Sequence, residues 1–271
     1  MKYKREEVLY AVVLVAPFVV AYLLFLIYPT IYQLTLSFQK APLIGPGEWI
    51  GLDNYVKLYN DKLFWRALRN TGVFVLWTVV PNTLLGLLFA IMVIRHRPLL
   101  QAIILACFFV PHILPVTVVT DMWTWLLSKQ FGIVQEVLDY FEIKRISFFT
   151  SRNWAMPMVA FITIWWTIGF NIVLFIAGLR NISPELYEAS DIEGATKFQQ
   201  FRYITWPLIW PVTALVLTLQ LIFQMKIFDQ MYLLTGGGPF NSTLVILQLV
   251  YNKAFQGNDG GYAAAISFVC L

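Results

Sequence analysis

The sequence predicts an all-α membrane protein, a polytopic bundle of about six spanning helices. Only 13% of the 271 residues are charged and 59% are hydrophobic, where a soluble domain carries about 25% charged residues. The charges are also missing in blocks. Asp, Glu, Lys and Arg are absent from residues 8–39, 70–94, 98–120, 153–179 and 203–225, and each block supplies the roughly 20 apolar residues that cross a bilayer as a helix. None of the blocks alternates as a transmembrane strand would. Hydrocarbon offers backbone N–H and C=O groups no partners, so helices are the form that remains.

The elements follow in order. The first block is too long for a cleavable signal peptide, and no small-residue cleavage site follows it. A Pro/Gly turn at residues 41–47 then leads through Gly51 and Tyr55 to Tyr59, Phe64 and Trp65. This aromatic run predicts an amphipathic elbow in the membrane interface. The third block carries Pro111 and Pro115 and predicts a kinked span. Ile133, Val134, Leu138 and Phe141 among charges predict a short surface helix and a turn. After the fifth block, Lys226 and Asp229 stand three apart and predict a local ion pair. Gly236–Gly238 with Pro239 predicts a turn at a helix end rather than a phosphate loop. The sixth uncharged stretch, residues 260–271, is too short to cross, so a last helix is expected to be truncated there. No linker or repeat interrupts the chain, which reads as a single transmembrane domain over residues 1–271.

Orientation comes from the short basic loops. Lys2, Lys4 and Arg5 precede the first block, and Arg95 and Arg97 flank His96 in the second loop. Both are expected to be cytoplasmic. Residues 180–202 then share that side, and residues 40–69, 121–152 and 226–259 lie outside. Formal net charge is only +4, which argues for no nucleic-acid partner. Cys107 and Cys270 read as small apolar residues. No metal-ligand spacing surrounds His96 or His112. No His/Glu, Ser/Lys or Asp/Asp constellation in the spans suggests an intramembrane enzyme.

The inner segment is longer than the two to eight residues common between helices. Ser183 followed by Pro184 is a helix start, with a capping hydroxyl and then proline at the first helical position. Glu185 favours the first turn, and Gly194 ends or bends the helix. A second helical stretch runs into Pro207. Leu186, Ala189 and Glu193 share one face. Small residues at Ala189, Ser190, Gly194 and Ala195 leave room for a partner to pack closely.

Glu188-Ala189-Ser190, then Gly194, Ile204 and Pro207 resemble the "EAA" signature of ABC importer permeases, with Ser190 in place of the second alanine and Glu193 where many members carry Asp. Residues 234–239, followed by Tyr251, Ala254 and Phe255, are similar to carbohydrate permeases of the maltose/glycerol-phosphate group. Residues 51–55 and 64–71 resemble their elbow. The resemblance implies the type I importer permease fold, with its core at about residues 66–271. It implies a second permease subunit, two ATPase subunits that bind ATP and Mg, an extracytoplasmic solute-binding protein, and a bacterial inner (plasma) membrane location. This chain has no G-x-x-x-x-G-K-[ST] loop and no cofactor is expected on it.

By the same resemblance, Glu188, Ala189, Ser190, Gly194, Ala195, Ile204 and Pro207 belong to an ATPase-coupling helix, with Glu188 making a polar contact. Polar residues inside spans mark pathways. Gln220 and Gln224, four apart with Phe223 alongside, and Thr167 and Asn171 are candidates for a substrate pathway. Amides and an aromatic plane suit a polyhydroxylated solute. Interhelical hydrogen bonding is the other reading, and Asn82 is read as helix–helix glue. A secondary transporter working without an ATPase, or a permease for a glycerol phosphoester, remain alternatives at this point.

Overall fold

A computed structural model describes residues 5–270. Lys2, Lys4 and the Arg5 side chain, on which the orientation of the N-terminus rests, lie outside the described residues. The chain is helical almost throughout. Its elements are α1 (Arg5–Tyr22), a π-helical turn (Leu23–Ile27), α2 (Tyr28–Ser37), β1 (Gln39–Lys40), β2 (Glu48–Trp49), α3 (Asp53–Asn60), α4 (Lys62–Val93), α5 (Pro98–Ile113), α6 (Val116–Leu126) and α7 (Ile133–Tyr140). Then come α8 (Ala155–Arg180), α9 (Pro184–Ile192), α10 (Lys197–Gln200), a π-helical turn (Phe201–Thr205), α11 (Trp206–Met225), α12 (Asp229–Thr235), α13 (Ile246–Tyr251), a third π-helical turn (Asn252–Gln256) and α14 (Gly260–Val269). By internal contacts the chain divides into two compact units, residues 1–65 with 249–271, and residues 66–248.

Four helical stretches are long and apolar enough to cross a membrane: Leu9–Ser37, Lys62–Val93, Ala155–Arg180 and Lys197–Met225. They fall on four of the five uncharged blocks. The third block differs from expectation. The bend is sharper than a kink: two helices, α5 and α6, meet at 100°. Pro115 is the cause: the residue before a proline is driven out of helical geometry, and Leu114 is extended at φ −68°, ψ 138°.

The first unit is knit by contacts far apart in sequence. β1 and β2 form an antiparallel pair, with Gln39 opposite Trp49. Asn54 Nδ2 donates to the carbonyls of Ser37 and Gln39, each at 2.9 Å. Tyr262, wholly buried on α14, donates through Oη to Asp61 at 2.7 Å. Lys57 Nζ lies 2.8 Å from Asp259 and 4.1 Å from the Tyr262 ring centroid. Asp259 caps α14 by accepting the Tyr262 N–H. Gly261 has no room for a side chain, because a Cβ there would strike the Gln39 carbonyl. The expected elbow is α3, with Tyr59, Trp49 and Trp65 exposed around it.

The second unit holds the candidate sites, and its packing explains their positions. One apolar cluster joins Phe74, Val119, Met156, Ile162, Met231 and Val245. The other joins Leu87, Ala90, Ile172, Phe175, Ile209 and Val216. Small residues bring the spans together, as is usual where lipid supplies no hydrophobic drive between helices. On α8, a Cβ at Gly169 would strike the Phe108 carbonyl of α5, and one at Gly178 would come within 2.7 Å of Val212 on α11. Gln101 ties one end of the unit. It donates to the carbonyls of Ile94 and His96 and accepts from Arg180. The short basic loop and the end of α8 therefore share a face. The expected surface helix is α7, clasped by buried Gln135, which bonds both the N–H and the C=O of Ile146.

Candidate functional site

Two polar assemblies stand out in this second unit. The first is the segment after Arg180. Ser183 accepts the Glu185 N–H at 3.3 Å and caps α9, with Pro184 at its first position. Gly194 follows the helix with φ +78°, the left-handed geometry that glycine adopts without strain. The Ala195 N–H returns to the Ser190 carbonyl at 2.9 Å. A Cβ at Gly194 would meet nothing within 4 Å, so within this chain the position requires a backbone conformation rather than a close approach. Thr196 and Gln199 form a reciprocal capping box that starts α10. From there the helix runs through the π-helical turn into α11, giving one 29-residue stretch.

One face of α9 turns inward and the other is bare. Tyr187 packs on the apolar cluster beneath, as do Ile204 and Trp206, and its hydroxyl lies 2.9 Å from Thr205 Oγ1. Gln200, almost wholly buried, donates to Ser190 Oγ at 2.8 Å and to Asp191 Oδ1 at 2.7 Å. Lys197 Nζ lies 3.0 Å from Asp191. That hydrogen bond, helped by Gln200, holds the Asp191 carboxyl below its ordinary value of 3.8. The outer face carries Glu188, Ala189 and Glu193, with Pro207 also exposed and Ser190, Ala195 and Ile204 partly covered. Apolar side chains stand out beside them: Ile192 is 89% exposed, and Leu186 and Phe198 are exposed too. Sequence reasoning missed Gln200, Tyr187, Asp191 and Lys197. The Thr196/Gln199 capping-box spacing is a signal in the sequence that marks the start of the second helix.

The second assembly is a buried layer of amides between the two apolar clusters. Asn82 on α4 donates to Thr167 Oγ1 at 2.7 Å and to Gln220 Oε1 at 3.4 Å. Gln220 Nε2 donates to Asn171 Oδ1 at 2.9 Å, and Gln224 Nε2 donates to Gln220 Oε1 at 3.2 Å. Asn171 Nδ2 reaches the Asn82 carbonyl at 3.5 Å. Four of the five polar residues expected on a pathway or at a helix contact are thus nearly inaccessible, Gln220 being 1% exposed. Thr167 is partly covered. Phe223 is not among them: it is 55% exposed on another face of α11. Asn82 joins three spans, and its Oδ1 has no donor among the described residues.

Two neighbouring expectations resolve differently. Lys226 and Asp229 form no ion pair, because α11 ends at Met225 and a new helix begins at Asp229. The glycines do form a turn at a helix end: α12 stops at Thr235, and Gly236 caps it in the left-handed conformation. No group of three or more His, Cys, Asp or Glu able to hold a metal occurs among the described residues.

Known proteins resemble this chain over most of its length. Residues 82–271 match the family described as binding-protein-dependent transport system inner membrane component. The sulfoquinovosyl glycerol transport system permease protein of Agrobacterium fabrum is 32% identical, over 96% of this chain and 85% of that protein. The arabinooligosaccharides transport system permease protein of Bacillus subtilis is 34% identical, over 94% and 82%. The trehalose/maltose transport system permease protein of Thermococcus litoralis is 30% identical, over 99% and 90%. Among solved structures, a bacterial ABC transporter that imports the acidic polysaccharide alginate matches with a TM-score of 0.86 at 27% identity, over 98% of this chain and 90% of that one. The same score is reached by the alginate transporter in complex with its pentasaccharide-bound periplasmic protein, at 26% identity over 98% and 89%.

Proposed function

The chain belongs to the family of binding-protein-dependent transport system inner membrane components, and from that membership we propose how its two polar assemblies divide the work of import. It is a permease subunit of an ABC importer for sugars and related solutes, and not an enzyme. In the proposed arrangement α9 and α10 face the cytoplasm, as does the N-terminus. They dock in a cleft of one of two ATPase subunits, which bind ATP and Mg. A second permease subunit completes the pathway, and an extracytoplasmic solute-binding protein delivers a polyhydroxylated solute.

The observation that carries this reading is the construction of α9 and α10. One face is fastened to the unit by Tyr187 and Gln200, while the other offers Glu188 beside bare Leu186, Ile192 and Phe198. A polar group ringed by exposed apolar side chains on a rigid helix suits a protein partner. Closure of the ATPases would push α9. The push passes through Gln200 into the continuous helix that carries Gln220 and Gln224. Alternating access then requires the amide layer to exchange partners. In one state the amides satisfy each other, and in the other they face the solute.

The test is reconstitution with the partner subunits. Gly194→Val forces a β-branched residue to positive φ, where it is an outlier. The expected outcome is that the ATPase subunits still co-purify and ATP is hydrolysed, while solute uptake falls at least about tenfold. Gly194→Asn tolerates that conformation and is expected to retain more uptake than valine. Normal uptake by the valine variant, or uptake that follows an ion gradient without ATP, would overturn the reading.

A further inference from the structure

A cavity of about 520 Å³ opens beside the end of α6, apart from both polar assemblies. Small-molecule sites span roughly 300–1,000 Å³. Leu127, Phe148 and Leu234 line it from the first apolar cluster, where all three are buried. Trp125 and Phe131 add two exposed rings. Most of the remaining lining is polar. Asp121, Thr124, Lys129, Ser147 and Thr150 make no side-chain hydrogen bond or ion pair among the described residues. The polar groups of this cavity are thus left for something other than the chain itself.

The walls are held in place before any ligand arrives. Buried Gln135 ties one wall to the other, donating to the Leu127 carbonyl at 3.5 Å and to the Ile146 carbonyl at 2.7 Å, and accepting the Ile146 N–H at 3.0 Å. Arg145 repeats the tie, donating to the carbonyls of Lys129 and Gln130 at 3.2 and 3.1 Å while pairing with Asp139 at 2.6 Å. Gly132 closes the turn between them, where a Cβ would strike the Leu126 carbonyl. Such pre-organisation lowers the cost of binding.

The lining selects a ligand class. A hydroxyl both donates and accepts, so a polyol can serve a carboxylate, an ammonium group and neutral hydroxyls in one site. Trp125 and Phe131 supply apolar ring faces for the C–H side of a sugar. A phosphate would call for clustered cations, and Lys129 is joined here by the carboxylate of Asp121. The cavity's Ser147–Thr150 wall precedes α8, whereas α9 follows the other end of that helix, 26 residues and about 39 Å away. On the importer reading above, on which this inference rests, the cavity therefore faces the extracytoplasmic space. We propose that it is a separate saccharide site, which holds sugar rings of the solute before they reach the amide layer.

Saturation-transfer NMR on the reconstituted complex, without binding protein, tests this with maltose, trehalose and arabinotriose as probes. At least one of the three is expected to bind. Trp125→Ala and Asp121→Ala are each expected to raise its Kd at least about tenfold. Trp125→Phe keeps a ring and is expected to stay near the parent value, and Gln220→Ala is expected to leave this binding in place. Binding lost in Gln220→Ala but kept in Trp125→Ala and Asp121→Ala places the sugar in the amide layer and overturns the proposal. Equal losses in Trp125→Ala and Trp125→Phe also overturn it. So does the failure of all three probes, or binding of glycerophosphoethanolamine in their place, which marks a lipid-headgroup site. Co-purification of the ATPase subunits with each variant checks that the complex is intact. Absence of co-purifying ATPase from the parent chain instead overturns the importer reading itself.

Discussion

Gln200 does at the scale of one residue what the signature residues around it do not. Its amide reaches Ser190 Oγ and Asp191 Oδ1, and more distantly the Tyr187 carbonyl, so α9 is held to α10 by a buried donor with three acceptors. Ser190, which departs from the second alanine of the signature, supplies one of the two short acceptors, and the Tyr187 carbonyl is a longer third at 3.4 Å. Leaving a buried polar group unsatisfied costs about 1–3 kcal/mol. Gln200→Ala is therefore expected to loosen α9 and raise the ATP hydrolysed per solute imported several-fold. Gln200→Glu places a carboxylate against Asp191 and is expected to be worse. The double variant Gln200→Glu with Asp191→Asn restores a donor–acceptor match and is expected to recover coupling. Counting ATP hydrolysed against solute imported checks all three, and a double variant no better than Gln200→Glu would contradict the positioning role.

Among elements, the packing of α5 on α8 turns on Gly169. Leucine there collides with the Phe108 backbone, which cannot rotate away as a side chain could. Over-packing of this kind costs about 1–3 kcal/mol and sometimes more. Gly169→Leu is expected to lower the midpoint of thermal denaturation in detergent by several degrees. Gly72→Leu on α4, where nothing lies within 4 Å of a Cβ, is expected to leave it unchanged. Equal losses would show that backbone propensity rather than close packing sets the effect. The same elements mark how far a sequence can be read. Uncharged blocks give spans directly, because a charge in hydrocarbon is expensive at any rotation of a helix. Ser183, Pro184 and Gly194 give the ends of α9, because caps act locally. The 100° break at Leu114 was legible only as a kink, since Pro111 and Pro115 do not tell a bent span from a broken one. The Lys226–Asp229 pair failed because i, i+3 spacing presumes a continuous helix. The amide layer was half legible. Its members were visible as polar residues in apolar blocks, but whether Gln220 faces Asn171 or solute depends on which way α11 is turned. That rotation is set by Gly178 against Val212 and Ile209, contacts that no local pattern announces.

For the molecule as a whole, charge is excluded from the spans and gathered at their ends, and in the first unit those ends are sewn together across two hundred residues of chain. Asp61 and Tyr262 bond at a separation of 201 residues, Lys57 and Asp259 at 202. Such contacts close late and hold the largest loops, so their loss is felt by the whole unit. Burial of Asp61 would raise its carboxyl. The hydrogen bond from Tyr262, the Leu63 and Phe64 N–H groups and the charge of Lys253 outweigh burial and hold it below 3.8. A depressed carboxylate stabilises the fold at pH values above its unfolded value and loses that contribution as pH falls through the folded one. The unit is thus expected to hold its full stability at neutral pH and to weaken below about pH 4. Tyr262→Phe removes the hydroxyl without emptying the buried site. A hydrogen bond to a charged group contributes about 1.5–3 kcal/mol, and partial exposure of Asp61 places the expected loss at the low end. Thermal denaturation of the full chain from pH 7 to pH 3 is expected to show the Tyr262→Phe variant less stable at neutral pH and less sensitive to acid. Parallel pH curves for the two proteins would mean that Tyr262 holds the unit by packing alone.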